Sequence, residues 1–324
     1  AHTPLHQLSG FTPAGNSAGQ VSVFNPDRQR ISHALPGGRV VQYLHDPASG
    51  RPDGVSYPEA DVVVSFDDSS NRVSAISWAP VSGGSGQSLE YEYDGALLTD
   101  AVFSGASSGA FSYRYDHSFQ LLGRSLDGGE ERSYLYDNDG LLTGFGNFTV
   151  TRSGPAGRPG QLSDGTLSLS YTFNSEGRLA TRELLVNGQP LYHLSLAYDA
   201  AGRIVQKTEN LEGAARTYGF VYDVDGQLIE VHLDEALQER YEYDLNGNRT
   251  LREISGTGQV AAYDAQDRIQ SQDSITYTVD QDGFLAQRGA VAFSYSARGE
   301  LLQGVPGPSD EVVYSYDGMA RRVA

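Results

Sequence analysis

Apolar and polar positions alternate along most of this chain in short runs, the period of a half-buried strand. In YEYDLNGNRT (241–250), Tyr241 and Tyr243 fall two apart and share one strand face, and Asp244, Asn246 and Gly247 follow at once. Asp and Asn bond their own main chain, and Gly takes a positive φ without a clash, so these residues predict a tight turn. A second alternating run then begins, as in QLIEVHL (227–233). Strand, turn and strand predict a β-hairpin. No stretch has a convincing helical period. The best, DEALQER (234–240), is short and sits where a hairpin loop belongs.

The phrase returns as YLYDNDGLL (134–142), YTFNSEGRL (171–179), LAYDAAGRI (196–204), FVYDVDGQL (220–228), YTVDQDGFL (277–285) and FSYSARGEL (293–301). Looser copies are FNPDRQRI (24–31), YLHDPASGR (43–51), SFDDSSNRV (65–73), YEYDGALL (91–98), YRYDHSFQLL (113–122), AYDAQDRI (262–269) and YSYDGMARR (314–322). The residue before the Asp position recurs about every 21 residues, which signals a repeat architecture. One wide gap, from 136 to 173, predicts a degraded copy near Val150. The expected fold is all-β: about fifteen hairpin repeats over 21–324 with about thirty strands, after an irregular segment 1–20. Tyr is expected to stack over Tyr in cross-strand ladders, each pair contributing roughly 0.2–1 kcal/mol. Rings stacking on sugars or lining a protein interface are the alternative.

Composition narrows the function classes. The 324 residues include no Cys, so disulfides, thiolate chemistry and Cys-based metal sites are out. That fits a cytosolic protein and equally a large secreted one held by its sheet. The formal net charge of −18 repels phosphate backbones, so nucleic acid is not an expected partner. No apolar run is long enough to span a membrane as a helix. The start, AHTPLHQLSG, has no Met and no apolar signal core, and the end, YSYDGMARRVA, breaks off inside a copy of the phrase. Both ends read as those of a piece of a longer chain.

Several motifs invite chemistry. Asp-x-Asp-Gly recurs at 137–140, 223–226 and 280–283. It does not meet the oxygen ladder of a calcium loop, so turn chemistry is the expectation. Gly105, Ser107 and Gly109 match Gly-x-Ser-x-Gly, but strand-like runs flank them where a nucleophile elbow needs a helix. His2, His6, His33, His45, His117, His193 and His232 are scattered without a zinc spacing. His45 stands where a repeat places its second Tyr, which suits a packing substitute. No catalytic, cofactor-binding or metal-ligating residue is assigned, and no enzyme activity is expected.

Copies of Y-x-Y-D-x-x-G-[RNQ]-[LI] over about 20–324 resemble the YD-repeat, or RHS-repeat, proteins. The resemblance implies a continuous antiparallel sheet spiralling into a hollow shell, a partial β-cocoon. In bacterial toxin complexes such a shell encloses a C-terminal toxic domain; in teneurins it is an extracellular scaffold for adhesion. For this chain it implies a bacterial protein, secreted or on the cell surface. The implied partners are a C-terminal effector of the same polypeptide or flanking shell segments, with a glycan or protein receptor as the alternative. No Asp-Pro-x-Gly-Leu phrase lies near the end, so self-cleavage does not carry over. About thirty strands at 4.8 Å spacing make about 145 Å of sheet, or one turn of wall around a bore that admits a small domain.

Overall fold

The computed structural model describes residues 7–12, 18–307 and 310–323. The expected irregular segment 1–20 lies partly outside these. Thirty strands and one short 3₁₀ turn, Pro155–Gly157, occur among the described residues. Chain neighbours pair antiparallel, as Gln189–Tyr198 does with both Leu179–Val186 and Ile204–Leu211. The chain divides into two compact units. Unit 1 comprises Ala1–Arg114, Ser125–Glu130 and Tyr263–Ala324; unit 2 comprises Tyr115–Arg124 and Glu131–Ala262. No helix among the described residues is long and apolar enough to cross a membrane.

Most copies share one turn chemistry. Asp244 N–H donates to Asn248 O (2.9 Å) and Gly247 N–H to Asp244 O (3.0 Å). The Asp244 carboxylate accepts from Asn246 and Asn248 N–H, both at 2.9 Å. This is a turn closed by a left-handed residue and a bulge, stapled by its own side chain. The pairing register shifts at the residue before the staple: Ala197 faces Gln206, but Tyr198 faces Ile204. The same shift falls at Phe24, Phe66, Tyr93, Tyr136, Phe173, Tyr222, Tyr243 and Tyr295. It also falls at Arg152, which places the degraded copy two residues from Val150. The residue that closes the turn is left-handed whatever its identity: the fourth in most copies, as Gly247 (φ 86°) and Phe119 (φ 64°), and the fifth in the longer turns of Asp46 and Asp67, Gly50 (φ 73°) and Asn71 (φ 58°).

Adjacent hairpins are joined differently from the expected ladders. Tyr198 Oη donates to Leu179 O (2.8 Å), Tyr222 Oη to Ile204 O (2.8 Å) and Tyr243 Oη to Leu228 O (2.8 Å). Each acceptor is the first strand residue after the previous turn. The Arg that closes that turn lies over the same ring: Arg178 on Tyr198 (5.7 Å) and Arg203 on Tyr222 (4.6 Å). The ring–ring pairs described contain Phe on at least one side. The phenol thus reaches a carbonyl and its face takes a guanidinium, so a second Tyr has no place there.

Little is buried. The accessible surface is 19501 Å², against about 13,000 Å² for a globular chain of this mass. Among the described residues, the one cluster of buried residues, Val41, Tyr57, Ala60, Val62 and Ala297, lies in unit 1.

Four outcomes follow for the purified chain. Gly247→Ala lowers stability by about 1 kcal/mol in denaturant melts, because Ala pays for the left-handed backbone. Phe119→Gly moves it the other way by less, since Phe119 is 72% exposed and loses no packing. Tyr222→Phe costs about 1 kcal/mol by removing the bond to Ile204 O. Hydrogen bonds from Ser69 and Ser70 hold Asp67 at about 2, and turn donors lower Asp46, Asp164, Asp199, Asp244 and Asp264. These depressed carboxylates stabilise fully above their unfolded values and lose that contribution as pH falls through the folded ones. The melting temperature therefore drops between about pH 4 and pH 2, and Asp67→Asn flattens that drop.

Candidate functional site

Within unit 1, turns of the segment 280–321 seat on the segment 37–91, and two neighbouring hairpin tips carry most of the contact. At the first, Arg39 donates from Nε to Asp282 Oδ2 (2.6 Å), and its Nη2 pairs with the same oxygen at 2.5 Å. Arg39 Nη1 donates to Tyr295 O (2.6 Å), and Gly37 N–H donates to Asp282 Oδ1 (2.6 Å). Asp280, at 3.4 Å, and Glu59, at 3.6 Å, complete the ring of carboxylates. The guanidinium also lies 5.6 Å over the Phe284 ring. The Asp282 side chain is only 4% exposed, so the clamp works where water screens it little.

At the second tip, 296–300, Ser296 replaces Asp as the staple and its Oγ accepts from Arg298 and Glu300 N–H. Ala297 N–H donates to Glu59 Oε2 (3.0 Å), and its methyl joins the buried cluster. Glu300 Oε2 accepts from Ser296 Oγ (2.8 Å) and Tyr57 Oη (3.2 Å), while Trp78 Nε1 donates to Tyr57 Oη (3.0 Å). Burial, then the charge of Glu300, pushes the Tyr57 hydroxyl up to about 12. Nearby, a Cβ on Gly318 would stand 2.4 Å from Ile76 Cγ2, so only Gly closes that approach. The partners are far apart in sequence: 243 residues for Tyr57 and Glu300, 245 for Gly37 and Asp282.

The residues singled out by motif fall as follows. Asp280 and Asp282 hold a guanidinium, while Asp137 and Asp223 accept from their own turn N–H groups. Among the described residues no group of His, Asp and Glu is placed to hold a metal ion. Gly105, Ser107 and Gly109 join the strands Leu97–Ser104 and Gly109–Tyr115, and no helix follows. Ser107 lies at a groove of about 510 Å³ floored by Tyr91, Phe103, Phe111 and Tyr113. His33 bonds Ser22 Oγ (2.9 Å), and His232 is raised by Glu230 at 2.9 Å. His45 ends the strand Val40–His45 at the Tyr position of its repeat, His193 faces Asn210, and His117 sits in a turn. His2 and His6 lie outside the described residues. Arg39, Tyr57, Glu59, Ala297 and Glu300 were not marked by sequence. Their signal was faint: an Arg after Gly-Gly, and a Ser where Asp belongs.

Comparison with known proteins agrees with this geometry. Teneurin-3 of Danio rerio is 30% identical over 334 residues, covering 97% of this chain and 12% of that protein. Teneurin-4 of Homo sapiens is 28% identical, with the same coverage. The chain thus spans about an eighth of the teneurins it matches. Among solved structures, TcdB2-TccC3-Cdc42 superposes with a TM-score of 0.74 at 15% identity, over 95% of this chain and 19% of that one. The Photorhabdus luminescens Tc holotoxin pore gives 0.72 at 14% identity, over 95% and 19%. At that identity the likeness is one of fold: an antiparallel YD-type sheet. The family model described as Teneurin YD-shell matches residues 7–324, and with repeat, turn and sheet all in agreement the chain belongs to the teneurin YD-shell family.

Proposed function

We propose that this chain is a non-catalytic stretch of shell wall in a large secreted or cell-surface YD-repeat protein, and that the shell encloses or displays an effector domain of the same polypeptide. Residues 21–324 act as one run of about fifteen repeats. The observation that carries the reading is the seam in unit 1. A sheet that buries so little gains a core, among the described residues, where repeats about 240 residues apart meet within unit 1, which supports a role as wall. A second reading, a surface that recognises glycan or protein, is favoured by the groove over Tyr91, Phe103, Phe111 and Tyr113.

The placement of charge bears on the cargo. In unit 2 the Tyr face carries Arg182, Lys207, Arg216 and Arg252 against Glu209 and Glu239. The opposite face carries Glu230, Glu242 and Glu253 against Arg240. A basic cargo suits only the second face.

The reading is tested on the full-length polypeptide by limited proteolysis. A downstream domain that stays intact until the repeats are unfolded supports enclosure; cleavage of that domain at native stability removes it. A glycan-array or pull-down signal lost on Tyr113→Ala would favour recognition instead. Arg39→Ala strands the nearly buried Asp282 and is expected to cost about 2–3 kcal/mol in a thermal or denaturant melt. Its protease sensitivity should rise within 280–300.

A further inference from the structure

We propose that the groove over Tyr91, Phe103, Phe111 and Tyr113 in unit 1 binds an acidic sugar, a short saccharide that carries one carboxylate. The inference rests on the reading of this groove as a recognition surface and needs no enclosed cargo.

The floor is one face of the sheet. Leu89 stands opposite Phe103, and Ala101 falls between Tyr91 and Phe111 on neighbouring strands. Ala101 is small, so the register leaves a hollow between two rings. Phe103 leans over Gly109, where a Cβ would stand 2.6 Å from its Cζ. Phe103, Phe111 and Tyr113 follow one another at 6.1 and 6.4 Å between ring centroids, tilted by 36° and 32°. At about 510 Å³ the groove has the size of a small-ligand site. The strand Gln87–Asp94 is paired on both sides, with Val73–Pro80 and Leu97–Ser104, and Leu97–Ser104 pairs in turn with Gly109–Tyr115. Neither of the two inner strands has a free edge to take a peptide strand, so side chains alone must hold the ligand.

The walls supply polar groups. Gln87 is only 6% exposed, and its Oε1 accepts from Ala106 N–H (3.0 Å), which fixes the amide beneath the loop 105–108. A Cβ on Gly105 would stand 2.6 Å from Gly86 O, so Gly lets that loop close over Gln87. The Gln87 Nε2 has no acceptor among the described residues, and the residue lines the groove, as does Ser107. A nearly buried amide donor left open to a groove calls for an acceptor from outside the chain. The turn 317–321 bounds another side, where Tyr91 Oη meets Met319 Sδ at 3.6 Å. Arg321 is spent on Asp317 at 2.7 Å. Arg322 forms no ion pair among the described residues; it lies 5.4 Å over the Tyr314 ring and lines the groove. On a chain of net charge −18 this open guanidinium selects an anion. One free cation beside Asp317 balances a single charge, which suits a carboxylate better than a phosphate. The rings then floor the C–H side of the sugar, and Gln87 and Ser107 meet its hydroxyls.

The test is a titration of the full 324-residue chain, followed by calorimetry and by the side-chain amide signals of Gln87. The probes are cellobiouronate, uncharged cellobiose and the acidic peptide acetyl-Phe-Glu. The expected result is saturation by cellobiouronate at about millimolar concentration, with shifts at Gln87 and within 103–113 and weaker binding of cellobiose. Arg322→Gln should weaken the acidic sugar about three- to tenfold and leave cellobiose unchanged. Arg322 is exposed, and a melting curve equal to that of the parent chain shows that the fold is intact. Cellobiouronate that binds no better than cellobiose, or equally well to Arg322→Gln, overturns the proposal while a recognition surface stands. A preference for acetyl-Phe-Glu over both sugars overturns it in favour of a protein partner. No signal from any probe overturns it together with the recognition reading of this groove.

Discussion

A sheet one layer thick has no second layer to cover its faces, so each hairpin must be held by the one beside it. The rest of this structure depends on that constraint. Tyr222 crosses to the carbonyl of Ile204 while Arg203, one residue earlier, lies on its ring. A hydrogen bond of about 1 kcal/mol and a cation–π contact of about 0.5–1 kcal/mol are small singly. Repeated along the chain they stand in for most of the core that a two-layer fold would have. The four letters of the motif are therefore not interchangeable. Asp staples the turn, Gly takes its left-handed residue, and Arg and Tyr bind consecutive turns to one another.

The division of labour between turn and tip explains how one phrase serves two ends. The staple uses one carboxylate oxygen and the main chain. The second turn residue faces outward and is free to vary, from Val224 to Ala297 to Gly318. Where a tip meets nothing, its side chain is indifferent to folding. Where it meets another repeat, that residue decides the fit, as Gly318 shows against Ile76.

Much of this was legible in the sequence. Alternation marked the strands, and Asp-x-x-Gly marked the turns to the residue, because both are local and their physics lies within about five positions. The hidden copy was placed within two residues of Arg152 from spacing alone. The Tyr ladders were misread because period two gives the face a ring occupies but not what lies opposite. The register shift before each Asp moves the ring toward the previous turn, where a carbonyl and a guanidinium wait. The seam was not legible. Asp282 is spelled like Asp139 and Asp225, and nothing near it in sequence names Arg39, 243 residues away.

Departures from the repeat were nevertheless a signal. Position 296 carries Ser where the strongest copies carry Asp, and in isolation that looks like decay. The Ser296 residue is fully buried, and its Oγ donates to Glu300 Oε2. An Asp there would set a second carboxylate against Glu300 away from water, a like-charge contact that one of them must relieve by taking a proton. Ser keeps the staple, since its Oγ still accepts from Arg298 and Glu300 N–H, and adds a donor where one is needed. At 296, then, the staple changes to suit a neighbouring carboxylate, whereas Asp280 and Asp317 keep the acid where their turns meet protein but no buried glutamate stands against it.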